Sequence, residues 1–330
     1  MENYNQIILN DDVQTSVASN NFSENLINDF MRWAQIGQTS FNTYLKALKQ
    51  FFIYLHEHNI TMPTNDDALS YAEYLKARLK PTTTQSYLNA CKQFFKWCNQ
   101  FGYYPNIMRY VKGAKIEMGN NPTKNAMRLD QVQKILAQFN PNDNDIKSKR
   151  DYAIILLLAS CGLRTIEVER INIGDITDNA NTSILWVQGK GRTDKNECVE
   201  IPTFVKNAID DYLKYYPKDK QNDDAPLFVS VSNHGNCERI TKNSISRICK
   251  TAMRNVGIEN KHAHGFRHFA ITQAILNGAD LTQVQQMARH KSISTTMIYN
   301  HAVERANNHC ETSVCNSILG IGTNENNTKL

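Results

Sequence analysis

A stretch rich in histidine and arginine precedes one tyrosine near the end of this 330-residue chain. The stretch reads His264-Gly-Phe-Arg267-His268, and His290 and Tyr299 follow it. Arginine binds phosphate oxygens through its planar guanidinium, while imidazole donates hydrogen bonds or carries a proton. A tyrosine hydroxyl is almost entirely neutral at pH 7, but among cations it can attack a phosphodiester as a nucleophile. The pattern therefore predicts covalent chemistry on DNA.

The elements that position these residues are predicted from the spacing of apolar side chains. Helices are predicted over residues 129–139, 149–159, 242–256, 266–276, 281–288 and 295–301. Strand-like runs over 183–188 and 196–201 flank a turn over 189–195. Asp280 and Gln283 fit a capping box at the start of the helix over 281–288. The second half of the chain is therefore predicted to be mainly α, with a small antiparallel β-sheet.

An internal repeat organises the N-terminal part of the chain. Residues 44–55 share Tyr, Leu, Ala, Lys, Gln, Phe and Phe, in that order, with residues 87–98. Two copies are too few for a solenoid, and they fit paired helical hairpins of about four helices. Turns are predicted near 35–38, 59–65 and 80–81.

A polar segment with glycines and lysines separates the two halves. The predicted organisation is a flexible arm over 1–21, a helical domain over 22–110, a linker over 111–127 and a second domain over 128–330. A plain surface loop is the alternative for the linker.

Composition limits the functional class only weakly. Lys+Arg 37 against Asp+Glu 32 gives a net charge of +5, which suits nucleic acid but is common among soluble enzymes. The 8 cysteines form no Cys-x-x-Cys pair, which favours reduced thiols in the cytoplasm. No apolar run approaches the roughly 20 residues of a membrane span, so no membrane partner is expected.

The tail resembles the tyrosine recombinase (phage integrase) family. The family signature is His-x-x-Arg, then a His or Trp, then the attacking Tyr, and these fall on His264, Arg267, His290 and Tyr299. The resemblance implies an N-terminal helical, SAM-like core-binding domain and a recombinase catalytic domain. Together these are expected to form a C-shaped clamp on DNA.

Two further family elements occur upstream in the expected order. A Gly-Leu-Arg-x-x-Glu run supplies Arg164 and Glu167. Lys190 lies in the turn between the predicted strands, where the family has a lysine, and Lys195 in the same turn is the alternative. A complete set in family order is far more specific than a lone His-x-x-Arg.

The resemblance implies a role for each of these residues. Arg164 and Arg267 would neutralise the charge that develops on a five-coordinate phosphorus. Lys190, or else Lys195, would protonate the 5′-oxygen leaving group. Tyr299 would remain joined to a 3′-phosphate, and since the bond energy is retained, neither ATP, a metal nor another cofactor is expected.

The remaining polar residues are expected to assist. His264 would help to move the proton of Tyr299 or contact the phosphate, and His290 would donate a hydrogen bond to a non-bridging oxygen and support the tyrosine. Glu167, one helical turn after Arg164, would orient a neighbouring group. Three other histidines are interpreted as structural or surface residues: His262, His268 and His301.

Basic side chains on the predicted helices are candidate DNA contacts. They are Lys46, Lys49, Lys92 and Lys96 in the first domain, and Arg247, Lys250 and Arg254 in the second. The last three share one face of the helix over 242–256, and in the family a helix here enters the major groove. A merely solvated face fits the same pattern.

The resemblance also implies partners. A simple two-domain recombinase of the Xer type, or a compact integrase of a mobile element, would act on double-stranded DNA with paired inverted half-sites. Four copies would assemble in the synapse, with an apolar C-terminal segment over 313–321 docked into a neighbouring copy. The need for a second recombinase or an accessory DNA-bending protein stays open. Alternative functions are relaxation of supercoils, as by a type IB topoisomerase, and catalytically silent DNA binding.

One departure from the usual family pattern lies just before His290. The family commonly has Leu-Gly-His where this chain has Ala288-Arg289-His290. Arg289 is therefore expected to add a side chain near the phosphate.

Overall fold

The computed structural model describes residues 24–35, 37–115, 126–140, 142–179, 182–189, 194–231 and 237–319. The chain forms two compact units, Met1–Met118 and Gly119–Leu330. The predicted arm over 1–21 and most of the predicted linker over 111–127 lie outside the described residues, and the C-shaped clamp stays a prediction. In the part of the chain that is described, no helix is long and apolar enough to cross a membrane.

Four helices build the described part of the first unit: α1 (Glu24–Trp33), α2 (Gln38–Glu57), α3 (Asn65–Arg78) and α4 (Pro81–Gln100). Their number and the positions of the turns between them are as predicted. Thr64 caps α3 in a reciprocal pair of hydrogen bonds with Asp67, and Pro81 occupies the first turn of α4.

The two repeated segments lie in α2 and α4 and form the centre of this unit. The Phe51 ring lies 5.5 Å from the ring of Phe95, and the Phe52 ring lies 6.2 Å from that of Phe94, both edge-on. All four side chains are buried. Burying one such ring contributes roughly 1.5–3 kcal/mol, so the repeated Phe-Phe pair explains why the two helices pack together.

The second unit combines helices with a three-stranded antiparallel sheet of order β1–β2–β3. Its helices are α5 (Leu129–Ala137), α6 (Ile146–Cys161), α7 (Thr165–Glu169), α8 (Thr203–Leu213), α9 (Lys242–Asn255), α10 (His264–Leu276), α11 (Leu281–Ala288), α12 (Ile293–Ala306) and α13 (Cys310–Leu319). Its strands are β1 (Ile176–Asn179), β2 (Thr182–Val187) and β3 (Glu197–Ile201). The two predicted strands correspond to β2 and β3, whereas the sequence pattern does not predict β1 or α8.

Helices α10, α11 and α12 share a small apolar core that includes Tyr299, together with Ile271, Val284 and Ala288. The predicted capping box of Asp280 with the residue three positions on is present at the start of α11. Because α10 and α12 both pack into this core, their polar residues are brought to one place.

Candidate active site

The first arginine of the site is placed by a tight turn after α6. Gly162 has φ 59°, a left-handed conformation that favours glycine, and Arg164 is the N-cap of α7. The Arg164 backbone N–H donates to Glu167 Oε2 at 2.7 Å, and its Nη1 donates to Glu167 Oε1 at 2.6 Å. The Glu167 carboxylate is fully buried, while the Arg164 side chain stays 27% exposed. Arg164 can therefore reach a bound anion.

Arg267 on α10 joins this turn to the end of α11. Its Nη1 donates to the Gly162 carbonyl at 2.6 Å, and its Nη2 donates to the Ala288 carbonyl. Burial, followed by the charges of Arg164 and Arg289, lowers the pKa of Arg267 to about 9. The guanidinium is still charged at neutral pH, which suits a phosphate partner.

Tyr299 on α12 presents its hydroxyl to an imidazole. Its ring is 6% exposed, and the hydroxyl oxygen lies 2.7 Å from His268 Nδ1. Burial raises the pKa of Tyr299, and Arg267 and Arg164 oppose that rise. The hydroxyl therefore keeps its proton at rest and donates it in the hydrogen bond.

The two predicted site histidines stand on either side of this pair. The His264 ring lies 4.7 Å from the ring of His268, which itself contacts the tyrosine hydroxyl. The His290 ring stacks on Tyr299 at 6.2 Å, and its Nδ1 lies 2.9 Å from the hydroxyl of the buried Thr296. That contact leaves Nε2 as the His290 nitrogen for a phosphate oxygen.

His268 is the residue that the sequence interpretation placed outside the site. Burial, and then the charges of His264, Arg267 and Lys261, lowers the pKa of His268 to about 4. It is therefore neutral at pH 7 and can accept the tyrosine's hydrogen bond. The signal that could have found it is helical spacing, since residues four apart, such as His264 and His268, share one face of a helix.

Arg289 does not point outward as an added phosphate ligand. Its side chain is 3% exposed, and Nη2 donates to Glu167 Oε2 at 2.8 Å. Its backbone is left-handed, with φ 54° and ψ 48°. Such a conformation costs a residue with a Cβ about 1–2 kcal/mol.

Of the two candidate general acids, Lys195 alone lies among the described residues. Lys190 lies outside the described residues, so its predicted role stays a prediction. Lys195 is described, and its Nζ lies 2.6 Å from Asp175 Oδ2. The ammonium of Lys195 is therefore already engaged in an ion pair with Asp175.

The candidate DNA contacts lie on exposed or half-exposed surfaces of their helices. Arg247, Lys250 and Arg254 are exposed on α9, whose opposite face buries Ile245 and Cys249 in the core. In the first unit, Lys46 and Lys96 are exposed, and Lys49 and Lys92 are half-buried. All seven side chains are accessible to a ligand, and their contact with DNA stays a prediction.

Each of the two units matches the model of a known protein family. A model described as the phage integrase family matches residues 125–305, and one for the phage integrase N-terminal SAM-like domain matches residues 24–100. Tyrosine recombinase slr0733 of Synechocystis sp. is 28% identical over 297 residues, which cover 84% of this chain and 90% of that protein.

Two solved structures are similar in fold. XerH site-specific recombinase, in a post-cleavage complex with palindromic difH substrate, has a TM-score of 0.67 at 19% identity, covering 84% of this chain and 80% of that one. A lambda integrase tetramer bound to a Holliday junction has a TM-score of 0.62 at 14% identity, covering 83% of this chain and 76% of that one.

Proposed function

This chain belongs to the phage integrase family and is a tyrosine recombinase, an enzyme that cleaves and rejoins DNA, and from that premise we propose that Tyr299 forms the covalent bond. The observation that carries the proposal is the hydroxyl of Tyr299, held 2.7 Å from a neutral imidazole. The charges of Arg267 and Arg164 act on the same hydroxyl. A nucleophile, a proton acceptor and two phosphate-binding cations therefore occur together.

The two arginines act on the phosphate. As the tyrosine oxygen attacks, negative charge grows on the non-bridging oxygens, and fixed donors stabilise that charge without reorganising. Arg164 supplies a partly exposed guanidinium, and Arg267 supplies a charge fixed by two carbonyls. His290 donates from Nε2 to the same oxygens.

We propose His268, rather than His264, as the group that takes the tyrosine's proton. The proton passes from the Tyr299 hydroxyl to His268 Nδ1 as the new P–O bond forms and the bond from phosphorus to the 5′-oxygen breaks. The leaving oxygen takes a proton from a lysine. Lys190 is the better candidate for that role, because the ammonium of Lys195 is paired with Asp175.

His268→Asn is expected to lower the rate of covalent attachment by about 10²-fold or more, because an amide can accept the hydrogen bond but cannot carry the proton. His268→Ala should lower the rate of covalent attachment by a similar factor. Single-turnover cleavage is measured at saturating DNA.

A DNA substrate with sulfur in place of the bridging 5′-oxygen needs little proton donation to its leaving group. It therefore distinguishes the loss of the general acid from the loss of the group that takes the tyrosine's proton. It should restore cleavage to Lys190→Ala but not to His268→Asn. A His268→Asn variant that cleaves at the wild-type rate would limit His268 to a hydrogen-bond role.

Partners follow from the same proposal. We propose that the enzyme acts in the cytoplasm on double-stranded DNA with paired inverted half-sites, for integration, excision or resolution of DNA elements. Four copies would assemble in the synapse, and lambda integrase, whose chain is similar in fold, forms a tetramer bound to a Holliday junction. A second recombinase or a DNA-bending protein would be an additional partner.

The exposed apolar side chains of the C-terminal helix α13 support the proposed assembly. Its apolar side chains Val314, Ile318 and Leu319 are 59%, 77% and 63% exposed, so α13 buries little within its own chain. We propose that it docks on a neighbouring copy.

Truncation after Asn308 is therefore expected to abolish cooperative pairing of two sites while single-site binding persists. Sedimentation of the protein with one-site and two-site DNA measures both. Undiminished pairing by the truncated protein would remove α13 from the interface.

Covalent capture tests the proposed function. Wild type is mixed with sheared DNA from the source organism, denatured in detergent, and the bound DNA is sequenced, with Tyr299→Phe as the unreactive control. Retained fragments that share inverted half-sites support recombination. Adducts without a shared site favour topoisomerase-like relaxation, and binding without adducts favours the silent regulator.

A further inference from the structure

Arg289 stands where the family usually has glycine, in the left-handed conformation that glycine accepts most readily. The cost of a side chain at this position is offset by buried contacts. Nη1 donates to the Met287 carbonyl at 2.6 Å, and Nη2 lies 2.8 Å from Glu167 Oε2 and 3.3 Å from the Gly162 carbonyl. The side chain is thus fixed by acceptors from three segments of the second unit.

Arg289 shares its acceptors with both arginines that we assign to the phosphate. Glu167 Oε2 accepts from Arg289 and from the backbone N–H of Arg164, and Oε1 accepts from the Arg164 guanidinium. The Gly162 carbonyl accepts from Arg267 as well as from Arg289. Yet Arg289 is 3% exposed against 27% for Arg164, so Arg164 alone of this pair is open to a ligand.

The sharing of acceptors matters because the cluster contains more guanidiniums than carboxylates. Two guanidiniums contact one carboxylate, and a third, that of Arg267, shares the Gly162 carbonyl with Arg289, so the cluster carries a net positive charge that glycine at position 289 would lower by one. Burial alone would raise the pKa of Glu167, but the charges of Arg289 and then Arg164 hold it below its usual value. With Arg289 absent, the buried carboxylate would depend on Arg164 alone.

We propose that Arg289 is a positioning residue that shares the Glu167 carboxylate with Arg164 and so leaves the Arg164 guanidinium available to the scissile phosphate. Arg289 does not touch the substrate itself. The inference rests on the proposed phosphate-binding role of Arg164, and it adds a residue that the usual family pattern lacks.

Arg289→Lys and Arg289→Met form a matched pair, because both keep the left-handed strain and a similar length while only lysine keeps the charge. At saturating DNA, we expect Arg289→Met to form the phosphotyrosyl adduct roughly 10–100-fold more slowly, by analogy with lost outer-shell partners. Arg289→Lys should recover most of that loss, and the DNA affinity of both should match wild type. Equal rates for the two variants would overturn the proposal.

A second readout does not depend on cleavage. Because the pKa of folded Glu167 is lowered, its ionised form contributes stability above the unfolded value of about 4.3. That contribution is lost as the pH falls through the lowered folded pKa. The unfolding temperature of Arg289→Met should therefore lie below that of Arg289→Lys at neutral pH, and the gap should close in acid.

In a Glu167→Gln background lysine should lose its advantage over methionine at every pH, because no carboxylate is left to share. A higher unfolding temperature for the lysine variant that persists there would contradict the charge-sharing role. If wild type formed no adduct while the pH-dependent gap was present, the proposed function would fail and the Glu167–Arg289 pairing would stand.

Discussion

Tyr299→Phe is expected to bind DNA with the affinity of wild type and to form no covalent adduct with it. Phenylalanine keeps the ring that packs with Ile271, Val284 and Ala288, so the fold around it should persist. Only the hydroxyl is removed, and with it the oxygen that attacks phosphorus. The rate of adduct formation should therefore fall below detection rather than by a modest factor.

Denaturing gel electrophoresis of protein mixed with end-labelled DNA measures the adduct, and a gel shift under native conditions measures binding. Tyr215→Phe is the matched control, because its hydroxyl bonds Asn144 at 2.8 Å instead of the site histidine. That variant should form the adduct normally. An adduct that survives in Tyr299→Phe would assign the nucleophile to another residue.

Arg267→Lys is expected to slow cleavage by about 10²–10³-fold, equivalent to roughly 3–4 kcal/mol of transition-state stabilisation. Lysine keeps the charge but has a single ammonium, and it cannot replace a planar group that donates to Gly162 and Ala288 at once. The ends of α6 and α11 would also lose their common partner. We expect the maximal rate to fall more than the DNA affinity.

Single-turnover cleavage at saturating DNA measures this loss, and the unfolding temperature shows whether the fold contributes to it. Arg78→Lys makes the same change at an exposed position on α3, outside the candidate site, and should leave the cleavage rate unaltered. An Arg267→Lys variant within about threefold of wild type would mean that a point charge suffices, contrary to the preference for planar recognition.

Much of the fold could be predicted because the signals are local. The repeated Phe-Phe segments specify two helices and their packing, and the residue pair at Asp280 specifies the start of α11. The sequence does not predict β1, because a strand of 4 residues is too short to display an alternation of apolar and polar side chains. α8 follows Pro202 directly after β3, where no side-chain cap marks its start.

The candidate site shows the same limit. Arg164, Arg267 and Tyr299 could be selected from residue type and order, but their contacts depend on segments far apart in the chain. Nothing in the sequence says that His268 rather than His264 meets the tyrosine, because both lie on one face of α10. The inward direction of Arg289 depends on a left-handed backbone and a buried carboxylate 122 positions away.

The carbonyl of Gly162 is a common anchor for two cations that would otherwise repel each other. Its partial negative charge lies between the guanidiniums of Arg267 and Arg289, and the left-handed turn fixes the direction of its peptide plane. A rotation of that one plane would remove one acceptor from each guanidinium at the same time. An amide that takes no part in the chemistry therefore helps to hold a phosphate-binding cation and its neighbour in place.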